Sequence, residues 1–240
     1  MSVHFEREIA RLKKRVLGLG ALVEENLHKA FVALQTSDLE LAREVIRTDI
    51  TIDEMEVEVE EECLQILALY QPVAGDLRFI IAVSKIDNEL ERIADLSANI
   101  CARVLQLAPE PNVAIPATAN EMAGLIEIML ARTLDALVEG DAELARAVLL
   151  ADRAVAALFC RLIDELKKEI REHIDLLDPL IIVFTMARYL ERLADRMTNI
   201  CEDVIYMVEG EIVRHQDAAF VDEFLEEPRS GEDGFPARGR

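Results

Sequence analysis

The chain has 240 residues, 26 basic against 47 acidic, a formal charge of −21, and only nine glycines, seven prolines and no tryptophan. That length holds one large domain or two of about 120 residues, and the shortage of turn residues favours an all-α protein over a sandwich or barrel. So acidic a chain repels polyanions, which argues against nucleic-acid binding by phosphate neutralisation and against a polybasic membrane anchor.

Breakers cut the sequence into six long helical stretches. Thr36-Ser37-Asp38 ends the first and caps the second, since Ser and Asp side chains accept the orphan amides of a helix start. Tyr70 to Asp76 ends the second, with Asp76 as the next cap. The segment from Pro109 through Pro116 reads as a linker near mid-chain. Gly140-Asp141 and Asp178-Pro179 punctuate the second half, the proline suiting a first helical turn. Past Gly210 the pattern decays, and residues 213–240 read as an acidic, disordered tail.

The most apolar run, Leu180 to Ala187, is far short of the ~20 residues that span a bilayer. The N-terminus lacks a basic region followed by an apolar core, so it is no signal peptide. Cys63, Cys101, Cys160 and Cys201 form no CxxC pair, and a reduced, cytoplasmic protein is expected.

The apolar seams are regular. Ile52, Met55, Val59, Cys63, Ile66 and Tyr70 step by three and four on the second helix; Phe79, Val83, Ile86, Leu90, Ile93, Ile100 and Val104 do so on the third. Each reads as one stripe on an otherwise polar helix, as in a bundle.

An internal repeat fixes the organisation. Leu90-Glu91-Arg92-Ile93-Ala94-Asp95-Leu96-Ser97-Ala98-Asn99-Ile100-Cys101 recurs as Leu190-Glu191-Arg192-Leu193-Ala194-Asp195-Arg196-Met197-Thr198-Asn199-Ile200-Cys201, identical at eight of twelve positions. Ala33-Leu34, Asp38 and Glu40 to Arg43 match Ala136-Leu137, Asp141 and Glu143 to Arg146 in the same order. The chain is therefore expected to form two tandem three-helix bundles, residues 3–108 and 117–212.

Residues four apart share a helix face, so Glu91 stacks on Asp95 and Glu191 on Asp195. Both pairs lie well over ~90° from their apolar stripe at 100° per residue and are predicted to face away from the bundle interior. Asp49, Asp53, Glu56 and Glu60 form a ridge on the second helix, where residues 49–62 hold eight acids and no base. An isolated ExxxD is usually a solvated face. The same pair at the same register in both repeats weighs as much for rows of hard oxygen ligands suited to bridging cations.

Other motifs are weaker. Glu25 and His28 give one ExxH, where a di-iron bundle needs two plus further glutamates. No GxSxG, P-loop or dinucleotide fingerprint is present. Cys101 and Cys201 read as buried small hydrophobes, and Arg92 and Arg192 as surface ion-pair partners or protein contacts.

The two segments Leu90 to Asp95 and Leu190 to Asp195, each continuing to Asn-Ile-Cys, resemble the signature of the PhoU family of phosphate-uptake regulators. Gln71 to Arg78, Phe5-Glu6 with Gly20 and Val23-Glu24, and Asn199 to Gly210 agree with it, so the resemblance covers roughly residues 3–212. It implies a cytoplasmic protein without catalysis, a negative regulator of phosphate uptake and of the phosphate-starvation response. It implies an adaptor between the ATPase subunit of a phosphate ABC transporter and a phosphate-sensing histidine kinase, in many members a homodimer. In some it implies a multinuclear cluster of iron, zinc or another divalent cation on the ExxxD motifs, here Glu91/Asp95, Glu191/Asp195 and Asp49/Asp53.

The second repeat departs from that pattern. Asp49 maps to Asp152, but Asp53, Glu56 and Glu60 map to Ala156, Phe159 and Ile163, so a weaker second site is expected. Two rival functions are a metal-storage or metal-buffering bundle and a purely structural interaction bundle whose acidic faces confer solubility.

Overall fold

The computed structural model describes residues 3–110 and 113–213. The expected acidic tail lies outside them from residue 214 onward. Six long helices run α1 (Val3–Thr36), α2 (Leu39–Tyr70), α3 (Ala74–Leu107), α4 (Ala117–Glu139), α5 (Ala142–Glu172) and α6 (Leu177–Glu209), with a 3-10 turn, Ile174–Leu176, before the last. No strand occurs among the described residues. The all-α reading and its six helices hold.

Local chemistry sets the boundaries. Asp38 caps α2 by accepting from the amides of Glu40 and Leu41, and Asp141 caps α5 through those of Glu143 and Leu144. These are orphan amides of a first turn. Gly140, at φ 65°, closes α4 in the left-handed conformation that glycine adopts without penalty. The start of α3 differs from expectation: the helix begins three residues early, with Val73 at the cap and no side-chain bond, and Asp76 sits inside the first turn. There its charge still complements the positive end of the helix dipole.

Helices α1, α2 and α3 pack on one another as one bundle, and α4, α5 and α6 as a second. The bundles join through α3 against α6 and α1 against α4, whereas among the described elements α2 touches only α1 and α3. The single-stripe reading therefore fails for the central helices. Ala82, Leu96 and Ala98 are buried on α3 beside the predicted seam, as Met186, Ala187 and Ile205 are on α6, because each of these helices packs on its own bundle and on the other.

Polar contacts cross the same boundary. Glu89, nearly buried on α3, accepts from Arg196 Nη1 at 3.1 Å and Asn199 Nδ2 at 3.2 Å on α6, and from Arg92 Nη1 at 2.8 Å on its own helix. Lys85 pairs with Asp203 at 3.4 Å. On the other side His28 Nδ1 lies 2.8 Å from Glu127 Oε1, so the lone ExxH histidine serves the bundle junction. Gly20 lets α1 approach α4 there: a Cβ on it would stand 2.9 Å from Leu134 Cδ2.

Candidate functional site

The acid ridge of α2 faces the acid row of α3 in antiparallel register. The charges of Asp53 and Asp95 both act on Asp49; those of Asp95, Asp53, Glu56 and Asp49 act on Glu91. The Asn88 side chain lies beside Glu56 and favours its charged form, against burial and the charges of Glu60 and Asp53 that raise it. Asp49 thus stands opposite Asp95, Asp53 opposite Glu91 and Glu56 opposite Asn88, each turn up α2 matched by a turn down α3.

This geometry refines the expected outward orientation. Asp95 is exposed, but Glu91 and Asp49 are half-buried along the seam between the two helices. Burial first, then the like charge one turn away on the same helix and those across the groove, push Asp49 up to about 6 and raise Glu91. Both effects disfavour the ionised form.

One residue of the site escaped the sequence reading. Asp87 lies one turn before Glu91 and is fully buried, with neither carboxylate oxygen hydrogen-bonded. Burial, with the charges of Glu56, Glu60 and Glu91, pushes it up to about 8. The spacing Asp87, Glu91, Asp95 was a signal: it extends the ExxxD row by one more step of four.

The second bundle keeps the register with fewer acids. Asp152 feels Asp195 and Glu191, and all three are raised chiefly by burial. Ala156, exposed, faces Glu191 where Asp53 faces Glu91. Arg188 lies over the Phe159 ring, 5.6 Å from its centroid, and pairs with Glu191 Oε2 at 2.7 Å. The second row is thus partly neutralised from within the chain, while the first has no such base.

The predicted ligands therefore fall into two groups, Asp49, Asp53, Glu91 and Asp95 on one bundle and Asp152, Glu191 and Asp195 on the other. Among the described residues, no three His, Cys, Asp or Glu side chains converge tightly enough to hold one ion. The donors are arranged as a line rather than as a cage. Their chemistry suits hard or borderline cations, and Asp49 Oδ1 is a buried acceptor without a partner, which a cation would satisfy. That acceptor and the hard oxygen donors beside it are what a bridging cation row would use.

Cys63, Cys101 and Cys201 are buried, with burial pushing each thiol up to about 12, consistent with packing roles.

Comparison with known proteins bears on the same elements. The PhoU domain model matches residues 16–104 and 119–204, one match per bundle. A "Phosphate-specific transport system accessory protein PhoU homolog" of Aquifex aeolicus is 38% identical over 210 residues, 88% of this chain and 95% of the relative. "PhoU homolog 1" of Thermotoga maritima is 36% identical, covering 97% of each chain. The crystal structure of PhoU from Pseudomonas aeruginosa superposes with a TM-score of 0.84 at 34% identity, over 86% of this chain and all of that one. That of the phosphate transport system regulatory protein PhoU from Streptococcus pneumoniae gives 0.80 at 32% identity, over 87% and 99%. With two matched domains, relatives along nearly its whole length and the same six-helix architecture, the chain belongs to the PhoU family.

Proposed function

We propose that this protein is a cytoplasmic regulatory accessory protein of phosphate transport that acts by protein–protein contact and represses uptake and the starvation response when phosphate is plentiful. The observation that carries the reading is the pairing of two PhoU domains with a carboxylate row at the same register in each. Relatives named as phosphate-specific transport accessory proteins support the pathway. On this reading the partners are the ATPase subunit of the phosphate ABC transporter and a phosphate-sensing histidine kinase, and the protein forms a homodimer. No catalytic step is assigned to it.

Asp49, Asp53, Glu91 and Asp95 would hold the main cations, and Asp152, Glu191 and Asp195 fewer. A bound multivalent cation would supply the positive charge that the groove lacks. The chain's own residues do the rest: α2 and α3 hold the carboxylates in register, and Asn88 beside Glu56 favours its charged form. Co-purification of the transporter ATPase subunit with the tagged protein from phosphate-replete cells, with and without chelator, tests the reading. Retention in both, or in the chelator-free sample alone, supports an adaptor. No enrichment over an unrelated acidic helical protein overturns it.

A further inference from the structure

The outer face of α2 carries an apolar line that the fold leaves uncovered. Ile50, Val57 and Leu64 are 61%, 50% and 59% exposed. Seven-residue steps drift only ~20° around a helix, so the three lie on one line about 21 Å long. Isolated exposed apolar residues are ordinary; three in register on a helix that, among the described elements, touches α1 and α3 alone are not. The duplication supplies a control. On α5 the equivalent positions are Arg153, Cys160 and Lys167, so bundle architecture does not require the line.

Charge selects the occupant. Glu54 and Glu61 flank the line on one edge, Asp53 and Glu60 on the other, all exposed. A second copy meeting this face through its own α2 would set those carboxylates against their duplicates. The chain's residues 216–240 carry seven acids and three bases and are repelled as well. An anionic membrane surface is repelled for the same reason. We propose that Ile50, Val57 and Leu64 form a docking line for a basic amphipathic helix of a partner protein. The partner's apolar residues lie along the line and its Lys and Arg side chains reach the acidic edges, the arrangement by which coiled coils choose partners. The surface lies on the first bundle alone, and its Glu54 and Glu61 edge shares no residue with the proposed cation row.

The test uses the full chain and a fluorescein-labelled helical peptide of about 18 residues, long enough to span the line, with leucines on one face and lysines and arginines on the other. Fluorescence anisotropy should show saturable binding, weakened about tenfold or more by Val57→Ser/Leu64→Ser and by Glu54→Lys/Glu61→Lys, but unchanged by Leu150→Ser, an exposed leucine on α5. Circular dichroism confirms that each variant is folded; these positions are exposed, so folding should survive. Equal binding by the serine variant, or equal binding of a scrambled peptide of the same composition, would mean that bulk acidity alone attracts the peptide and overturns the proposal. So would binding that appears only once residues 214–240 are deleted, or a self-association that Val57→Ser/Leu64→Ser abolishes.

Discussion

Arg188 stands over the ring of Phe159, 5.6 Å from its centroid, at the register where Asn88 stands beside Glu56 in the first bundle. One exchange of facing residues converts an acid-lined groove into one that holds its own cation, since the same Arg188 reaches Glu191 at 2.7 Å. The two rows descend from one duplicated unit and differ at this crossing in sign of charge.

If the rows hold cations as proposed, their metal content should be unequal. Asp49→Asn/Asp53→Asn should remove most of the bound metal per protomer, and Asp152→Asn little. Arg188→Asn, which restores the first-repeat residue, should raise second-bundle uptake by freeing Glu191. Elemental analysis of protein purified without chelators reads all three. Equal losses in the two Asp variants would refute the asymmetry.

The groove should also make the metal-free protein acid-stable. Asp87 is an ordinary carboxyl near 3.8 when unfolded and is pushed up to about 8 when folded, so between those values the folded state binds more protons than the unfolded. Stability then falls as pH rises through this window and levels off above it. Asp87→Ala borrows the residue found at Ala187. It should flatten the slope and, at pH 9, raise the melting temperature by roughly 3–8 °C; at pH 4 that advantage should vanish. Thermal melts of chelator-treated protein across pH decide it.

Glu89 couples the bundles. Replacing it with alanine leaves the largely buried Arg196 without its partner across the junction, a loss of ~1–3 kcal/mol once partial solvation is allowed for. Because the two bundles then hold each other less firmly, denaturant unfolding should broaden or split into two transitions. A single transition with unchanged midpoint would show that apolar packing between α3 and α6 suffices.

Gly20 tests the other side of the junction. Gly20→Val should overpack against Leu134, whose Cδ2 already lies 2.9 Å from an ideal Cβ, at a cost of about 1–3 kcal/mol. Leu134→Ala in the same chain should recover part of it. If the double variant is as unstable as the sum of the singles, the two residues do not share that space.

Much of this was readable before any coordinates. Asp38 declares itself as a cap because it precedes an apolar-periodic run, its repeat counterpart Asp141 turns out to cap α5 the same way, and the duplicated Glu-Arg-x-Ala-Asp segment places both rows. Asp87 was missed because it stands among Lys85, Asn88, Glu89 and Glu91, and so charged a stretch reads as a solvated face rather than as a place for a fully buried carboxyl. The junction was missed for a related reason. Its evidence is a second apolar face on α3 and α6, which a search for one stripe absorbs into the first. Glu89 and Arg196 meet across 107 positions of chain, and no local periodicity encodes that encounter.

The arrangement of neighbours also accounts for how the two halves have drifted apart. Helix α3 is gripped by α1, α2 and α6, and α6 by α3, α4 and α5, so most replacements there disturb three partners at once. Helices α2 and α5 each have two long neighbours and a free side. After duplication the enclosed pair kept eight of twelve residues in its shared segment, while the open pair kept Glu40 to Arg43 at its start but one carboxylate of four along its outer ridge. Novelty in such a protein accumulates on its flanks, and the inner pair preserves the record of common descent.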